Sequence, residues 1–166
     1  MLLHPHAIAM EFKKGPLIKN YGPHAAVEQD YSFAKDSKFK VAFDVTEPGD
    51  VNVLNRKFVS LARFLNMHVA NGIPAENLNL ALVVHSKALQ GLLNDNAFSQ
   101  RFEGQNPNKE LIQELLKNNV DIYVCGQSAA FYKVKNSDLL PGVKMALSAM
   151  TVHALLQQQG YTSNPF

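Results

Sequence analysis

The chain has one cysteine, Cys125, which closes the apolar run at residues 120–124 and is followed at once by Gly126. A thiolate is a nucleophile and a thiol is not, so a cysteine acts chemically where its surroundings favour the anion. A strand that ends in a helix supplies such surroundings, because free backbone N–H groups and the positive end of the helix dipole face the sulfur. Gly126 also removes side-chain bulk beside it. Two other apolar runs end on groups that could assist: His85 and Ser86 follow residues 78–84, and Asp44 and Thr46 stand at the end of residues 39–45. An imidazole there can donate to a sulfur anion or shuttle a proton. Ser148 ends a fourth short run. Two readings of Cys125 stand at this point, a reactive thiol and a small buried hydrophobe at the end of a strand. Asp44 is open in the same way, as a ligand-binding carboxylate or as a cap of the loop behind it.

These residues meet only if their runs are parallel strands of one sheet, since open α/β sheets bind ligands beyond the carboxyl ends of their strands. The pattern supports that. Residues 39–45 are β-branched and aromatic, and stop at Thr46-Glu47-Pro48-Gly49-Asp50. Leu54, Phe58, Leu61 and Leu65 then recur at helical spacing, up to a stop at Asn71-Gly72 and Pro74. Residues 78–84 are nearly all apolar, as in a sheet covered on both faces. A short helix is expected over 87–93, then a polar stretch over 94–105. Asn106-Pro107 opens a helix with buried Leu111, Ile112, Leu115 and Leu116, ended by Asn118-Asn119. A third strand covers 120–124, a helix 127–132, a loop 137–142, a fourth strand 143–147, and a last helix 149–159 before Gly160. Strand followed by helix four times predicts an α/β fold with a parallel sheet and helices on both faces. Residues 1–38, broken by Pro5, Gly15-Pro16 and Gly22-Pro23, read as an extended arm with a short strand at Leu17-Ile18, and the α/β domain as 39–166.

Composition excludes several classes. The 166 residues suit one domain, 46% hydrophobic and 18% charged. A net charge of +2, with no basic run, leaves no nucleic-acid footprint. One cysteine allows neither an internal disulfide nor a zinc site of several thiolates. His4, His6 and His24 lie in the arm without ligand spacing, so no metal is expected. His68 and His153 fall within helices, as surface or packing residues. Phosphate loops, serine elbows and paired catalytic carboxylates are missing, and no cofactor is implied. No run is long enough to span a membrane. Ala7-Ile8-Ala9 is a small-x-small triplet of the type found before a signal-peptidase cut, although the stretch before it is short and lacks a basic start. It is read as the tail of an export signal, which would place the protein in the periplasm or otherwise outside, or as an ordinary terminus of a cytoplasmic protein.

Val124-Cys125-Gly126-Gln127-Ser128-Ala129-Ala130, Asp138-Leu139-Leu140-Pro141-Gly142-Val143 and Gln159-Gly160-Tyr161 together resemble the DsrE/DsrF-like family, over about residues 39–161. The strand ends at His85 and Asp44 are similar too, and Cys-Gly-Gln-Ser suggests a separate branch. The resemblance implies a three-layer α/β/α sandwich with a mainly parallel sheet of four to five strands, assembling as a homo-trimer or hexamer. In sulfur-relay members, a cysteine at the end of the third strand accepts sulfur as a persulfide and passes it to a partner protein. By position that cysteine is Cys125, with His85 assisting and Gly126, Gln127, Ser128, Asp44 and Ser86 around the ligand. Relay members also carry a Gly-Val pair after the cysteine's helix, where this chain has Lys133-Val134. The rival expectation is a homo-oligomeric module of the same fold that binds a small ligand or a protein in the same crevice without turnover.

Overall fold

The β-rich runs pair as expected. In the computed structural model, which describes residues 11–164, β1 (Phe39–Val45), β2 (Leu78–Val84), β3 (Asp121–Cys125), β4 (Lys144–Ala146) and β5 (Thr162–Asn164) form one sheet in the order β4-β3-β2-β1-β5, with every pairing parallel. The fifth strand has no apolar signature. Its three polar residues pair with Val41, Ala42 and Phe43 at the sheet edge.

Alternation along the strands divides the core in two. Val41, Phe43, Val45, Leu80, Leu82, Val84, Ile122 and Val124 face one side, where they pack with Phe58, Leu61 and Leu65 of α1 (Arg56–Ala70) and Leu111, Ile112 and Leu115 of α3 (Lys109–Lys117). Ala42, Ala81, Val83 and Cys125 face the other side, against Ala149, Val152 and Leu156 of α5 (Ala149–Gln158). The result is a three-layer α/β/α sandwich. Small residues on the second face let α5 approach the sheet closely.

The stretch over 94–105 is not all loop. Asn94 caps a one-turn helix, α2 (Asp95–Ser99), by accepting from the Ala97 N–H at 2.9 Å, and Ala97 and Phe98 are buried. The expected helix at 87–93 is a 3-10 segment at Ser86–Leu92. Asn106 does not cap α3. Its buried side chain accepts from the Asn108 N–H and donates to the Gly91 and Leu93 carbonyls, which anchors the loop ahead of the helix.

α4 (Gly126–Phe131) ends in a Schellman turn. Val134 N–H bonds to the Ala129 carbonyl at 2.8 Å and Lys133 N–H to the Ala130 carbonyl at 3.2 Å. Lys133 takes φ 55°, the left-handed conformation that glycine adopts without penalty. The missing glycine has therefore not removed the turn, which lysine makes in its place while Arg101 holds the Lys133 carbonyl at 3.1 Å.

Leu17-Ile18 is a bend and forms no strand, and the arm is tied to α1. Fully buried Asn66 accepts from the Ile18 N–H at 2.7 Å and donates to the carbonyls of Ile18, Tyr21 and Gly22. His4, His6 and the Ala7-Ile8-Ala9 triplet lie outside the described residues. Among the described residues no helix is long and apolar enough to cross a membrane.

His68 is a packing residue. It stacks on Phe64 with ring centroids 3.9 Å apart, meets Phe39 and Phe33, and donates Nδ1–H to the Phe64 carbonyl at 2.7 Å. Burial pushes its pKa down, and the carbonyl only partly opposes this. Below about pH 6.5 the unfolded chain therefore binds a proton that the folded one refuses. Stability should fall as pH drops from there to the lowered value, at no more than about 1.4 kcal/mol per pH unit for one proton. Melting curves between pH 7.5 and 4.5 should show a smaller acid loss for His68→Leu than for the parent, and parallel curves would refute this.

Candidate functional site

Cys125, Gly126 and the start of α5 come together because of how the chain crosses the sheet. After β3 it turns into α4, whose Ala129 joins the α1 side of the core, whereas after β4 it turns into α5 on the opposite face. Neighbouring strands whose connections leave in opposite directions open a crevice between their carboxyl ends. Cys125, paired with Ala146, sits in that crevice. Gly126 is needed there for close approach: a Cβ on it would lie 2.4 Å from the Ala146 carbonyl oxygen. Gln127 spans the gap and donates Nε2–H to the Leu147 carbonyl at 3.1 Å.

Cys125 is only 6% exposed, yet it lines an open cleft of about 610 Å³ together with Asp44, His85, Gln127 and Ser148. Burial raises the thiol pKa, but the Ser128 amide, the Ala149 amide, the Ser128 hydroxyl and the Gln127 amide outweigh it, and the net shift is downward. The sulfur makes no N-cap hydrogen bond to α4. What these donors supply is a field that favours negative charge, drawn from two helix starts at once. Ser148 caps α5 by accepting from the Thr151 N–H at 3.0 Å, which leaves the Ala149 N–H to the sulfur. Ser128 also accepts the Ser86 N–H at 2.9 Å, and Ser86 is held at φ 54°. Such left-handed backbone in a non-glycine residue costs energy and collects at functional sites.

The same face carries the acid–base groups. Val84 pairs with Val124, so the next residues, His85 and Cys125, come side by side about 5 Å apart at the backbone. Asp44, on β1, shares their face by alternation. Its carboxylate accepts from His85 Nε2, with Oδ1 at 3.1 Å and Oδ2 at 3.2 Å. Oδ1 also accepts from His153 Nε2 at 2.7 Å. Asp44 thus holds two rings and does not cap its loop. His153, expected as a surface or packing residue, lines the cleft, as do Ala149 and Met150. Its sequence signal was only a histidine beside Val152 on the buried stripe of α5, and Asp44 is 109 residues away. Gln127 and Ser148 fall where the sequence placed them. Ser86 contributes through its N–H to Ser128 and through its Oγ, 3.5 Å from His85 Nδ1, and Thr46 lies in an adjoining cleft that shares Asp44.

Fold and site define an α/β protein whose lone thiol lies in a switch-point crevice and shares its cleft with an Asp–His pair. The DsrE/DsrF-like family model matches residues 40–163, and the chain belongs to that family, which is generally linked to sulfur relay. Among solved structures, the chain is similar to a protein of unknown function, MTH1491, from Methanobacterium thermoautotrophicum, at 18% identity and TM-score 0.56, over 78% of this chain and 100% of that one. The ychN protein from E. coli is similar at 17% identity and TM-score 0.49, over 77% and 99%. No curated protein matches the chain.

Proposed function

We propose that Cys125 carries sulfur as a persulfide and passes it to a partner. The observation that carries this reading is a buried thiol whose pKa is lowered, not raised, because amides from two helix starts face it. In the loading step the Cys125 thiolate attacks the terminal sulfur of a donor persulfide, R–S–SH. The donor S–S bond breaks as the new one forms, and R–S⁻ leaves and takes a proton from the His85 imidazolium. An acceptor thiol then gives its proton to His85 Nδ1 and attacks the outer sulfur as the thiolate, and Cys125 departs as the thiolate those amides favour. The proton taken here is the one returned to R–S⁻ in the next loading step. Sulfur keeps its oxidation state throughout, so no external oxidant or reductant is consumed. Gly126, Gln127 and Ser128 shape the sulfur's side of the cleft, and Asp44, His85 and Ser86 the other.

Leu147 and Met150, 71% and 79% exposed beside the cleft, offer an apolar rim to a donor or acceptor protein. Assembly into three or six copies belongs to the same proposal, as does export.

Mass spectrometry after exposure to cysteine persulfide tests the reading. The expected result is one added sulfur on the Cys125 peptide, removed by reductant and absent in Cys125→Ala. A thiol that stays unmodified while the folded protein remains open to alkylation would overturn it in favour of a binding module without turnover.

A further inference from the structure

The site contains a second histidine that the relay chemistry above does not use. A carboxylate only accepts hydrogen bonds, so both rings bonded to Asp44 must carry their proton on Nε2. In the neutral form each therefore offers a bare Nδ1. For His85 this atom faces outward, 3.5 Å from Ser86 Oγ. For His153 it is buried and has no hydrogen-bond partner. A second proton on His153 would place an N–H where nothing accepts it, whereas on His85 it would meet the cleft. The two rings are not equivalent.

We infer that His153 is a positioning residue of the Cys125 site, an anchor that grips Asp44 Oδ1 so that the carboxylate holds His85 by Nε2 and leaves Nδ1, beside Ser86 Oγ, to take and return the proton. The inference rests on the sulfur-carrying reading for its consequence, not for its geometry. The shorter of the two contacts, 2.7 Å against 3.1 Å, belongs to His153. Its ring is carried by a ten-residue helix packed through Val152 and Leu156, so it is a rigid support. Ionisable neighbours of His153 are few. Asp44 of β1, His85 after β2 and Cys125 of β3 share its cleft. Tyr123 and Tyr161 pack on the same apolar face. Glu47 and Lys57 lie across Asp44 in the adjoining cleft.

Glutamine separates anchoring from titration. Its side-chain amide can place an N–H where Nε2–H stood, but it cannot gain a proton, whereas leucine keeps bulk and offers neither. Two readouts apply to the folded variants, the rate of sulfur transfer from loaded Cys125 to dithiothreitol and the pH profile of iodoacetamide alkylation. Transfer by His153→Leu is expected to fall about tenfold. Its alkylation profile should lose the limb that His85→Gln also removes. His153→Gln is expected within about twofold of the parent, with that limb kept. His153→Gln behaving like His153→Leu would overturn the anchor role, because titration would then be what matters. An unchanged profile in a folded His153→Leu would also overturn it, leaving only packing. Alkylation needs no sulfur donor, so failure of the relay reading, seen as an unloaded parent protein, is read separately.

Discussion

Asp44→Asn should slow sulfur transfer through Cys125 by about a hundredfold while leaving the fold intact. The carboxylate accepts from His85 and His153 at once. Oδ1 serves both rings and Oδ2 serves His85 alone. Asparagine keeps its one acceptor oxygen at the Oδ1 position and turns its NH₂ against the His85 Nε2–H. His85 then moves its proton to Nδ1 in order to accept, and its base is spent on the wrong atom. General acid–base assistance is typically worth about 10²–10⁴ in rate, and the lower end suits a partly exposed pair. Single-turnover transfer to a thiol, followed by mass spectrometry, gives the rate. Alkylation well above the thiol's pKa should be nearly unchanged, since it needs no proton from the histidine. Transfer at the parent rate would show that the Asp–His arrangement is no part of the chemistry.

Gly126→Ala should cost both stability and reactivity, and the sign makes the test sharp. Gly126 is the first residue of α4, and in a helix alanine is favoured over glycine by about 1 kcal/mol. Propensity alone therefore predicts a more stable variant. The structure predicts the reverse, because the new Cβ would lie 2.4 Å from the Ala146 oxygen and 3.2 Å from the Leu147 oxygen, both backbone. Overpacking of this kind costs about 1–3 kcal/mol, enough to lower the melting temperature by several degrees in a chain of this size. Relief requires β4 and the start of α5 to move away, which takes the Ala149 amide from the sulfur and lets burial raise the thiol pKa. Thermal melting should show the loss, and the alkylation midpoint should rise. An unchanged or higher melting temperature would mean that the crevice is wider than described.

Much of this site could be read without coordinates. Runs of apolar residues locate β1 to β3, and period-two alternation alone puts Asp44, His85 and Cys125 on one face once those runs are parallel neighbours. Gly126 after the cysteine, and the breaks at Gly72, Asn119 and Gly160, mark turns through backbone freedom that is local to each residue. Where local signals were faint, the structure supplied what they could not. β5 is three polar residues held by pairing to β1, and α2 is one turn held by the Asn94 cap and buried Phe98. The arm at Ile18 is tied down by Asn66, 48 residues along the chain.

What the sequence by itself determined is the succession of β1 to β4 with their longer helices, the family they resemble and a thiol at the mouth of a helix, because each depends on signals carried by neighbours within a few residues. What only tertiary structure decided is the character of that thiol. Burial alone would raise its pKa; the Ser128 and Gln127 donors lower it together with the Ala149 amide, which reaches β3 only because α5 crosses to the opposite face. Tertiary structure likewise makes Asp44 the bridge between the His85 and His153 rings. The Ala149 and Asp44 contacts join residues 24 to 109 positions apart, and no periodicity reports on them.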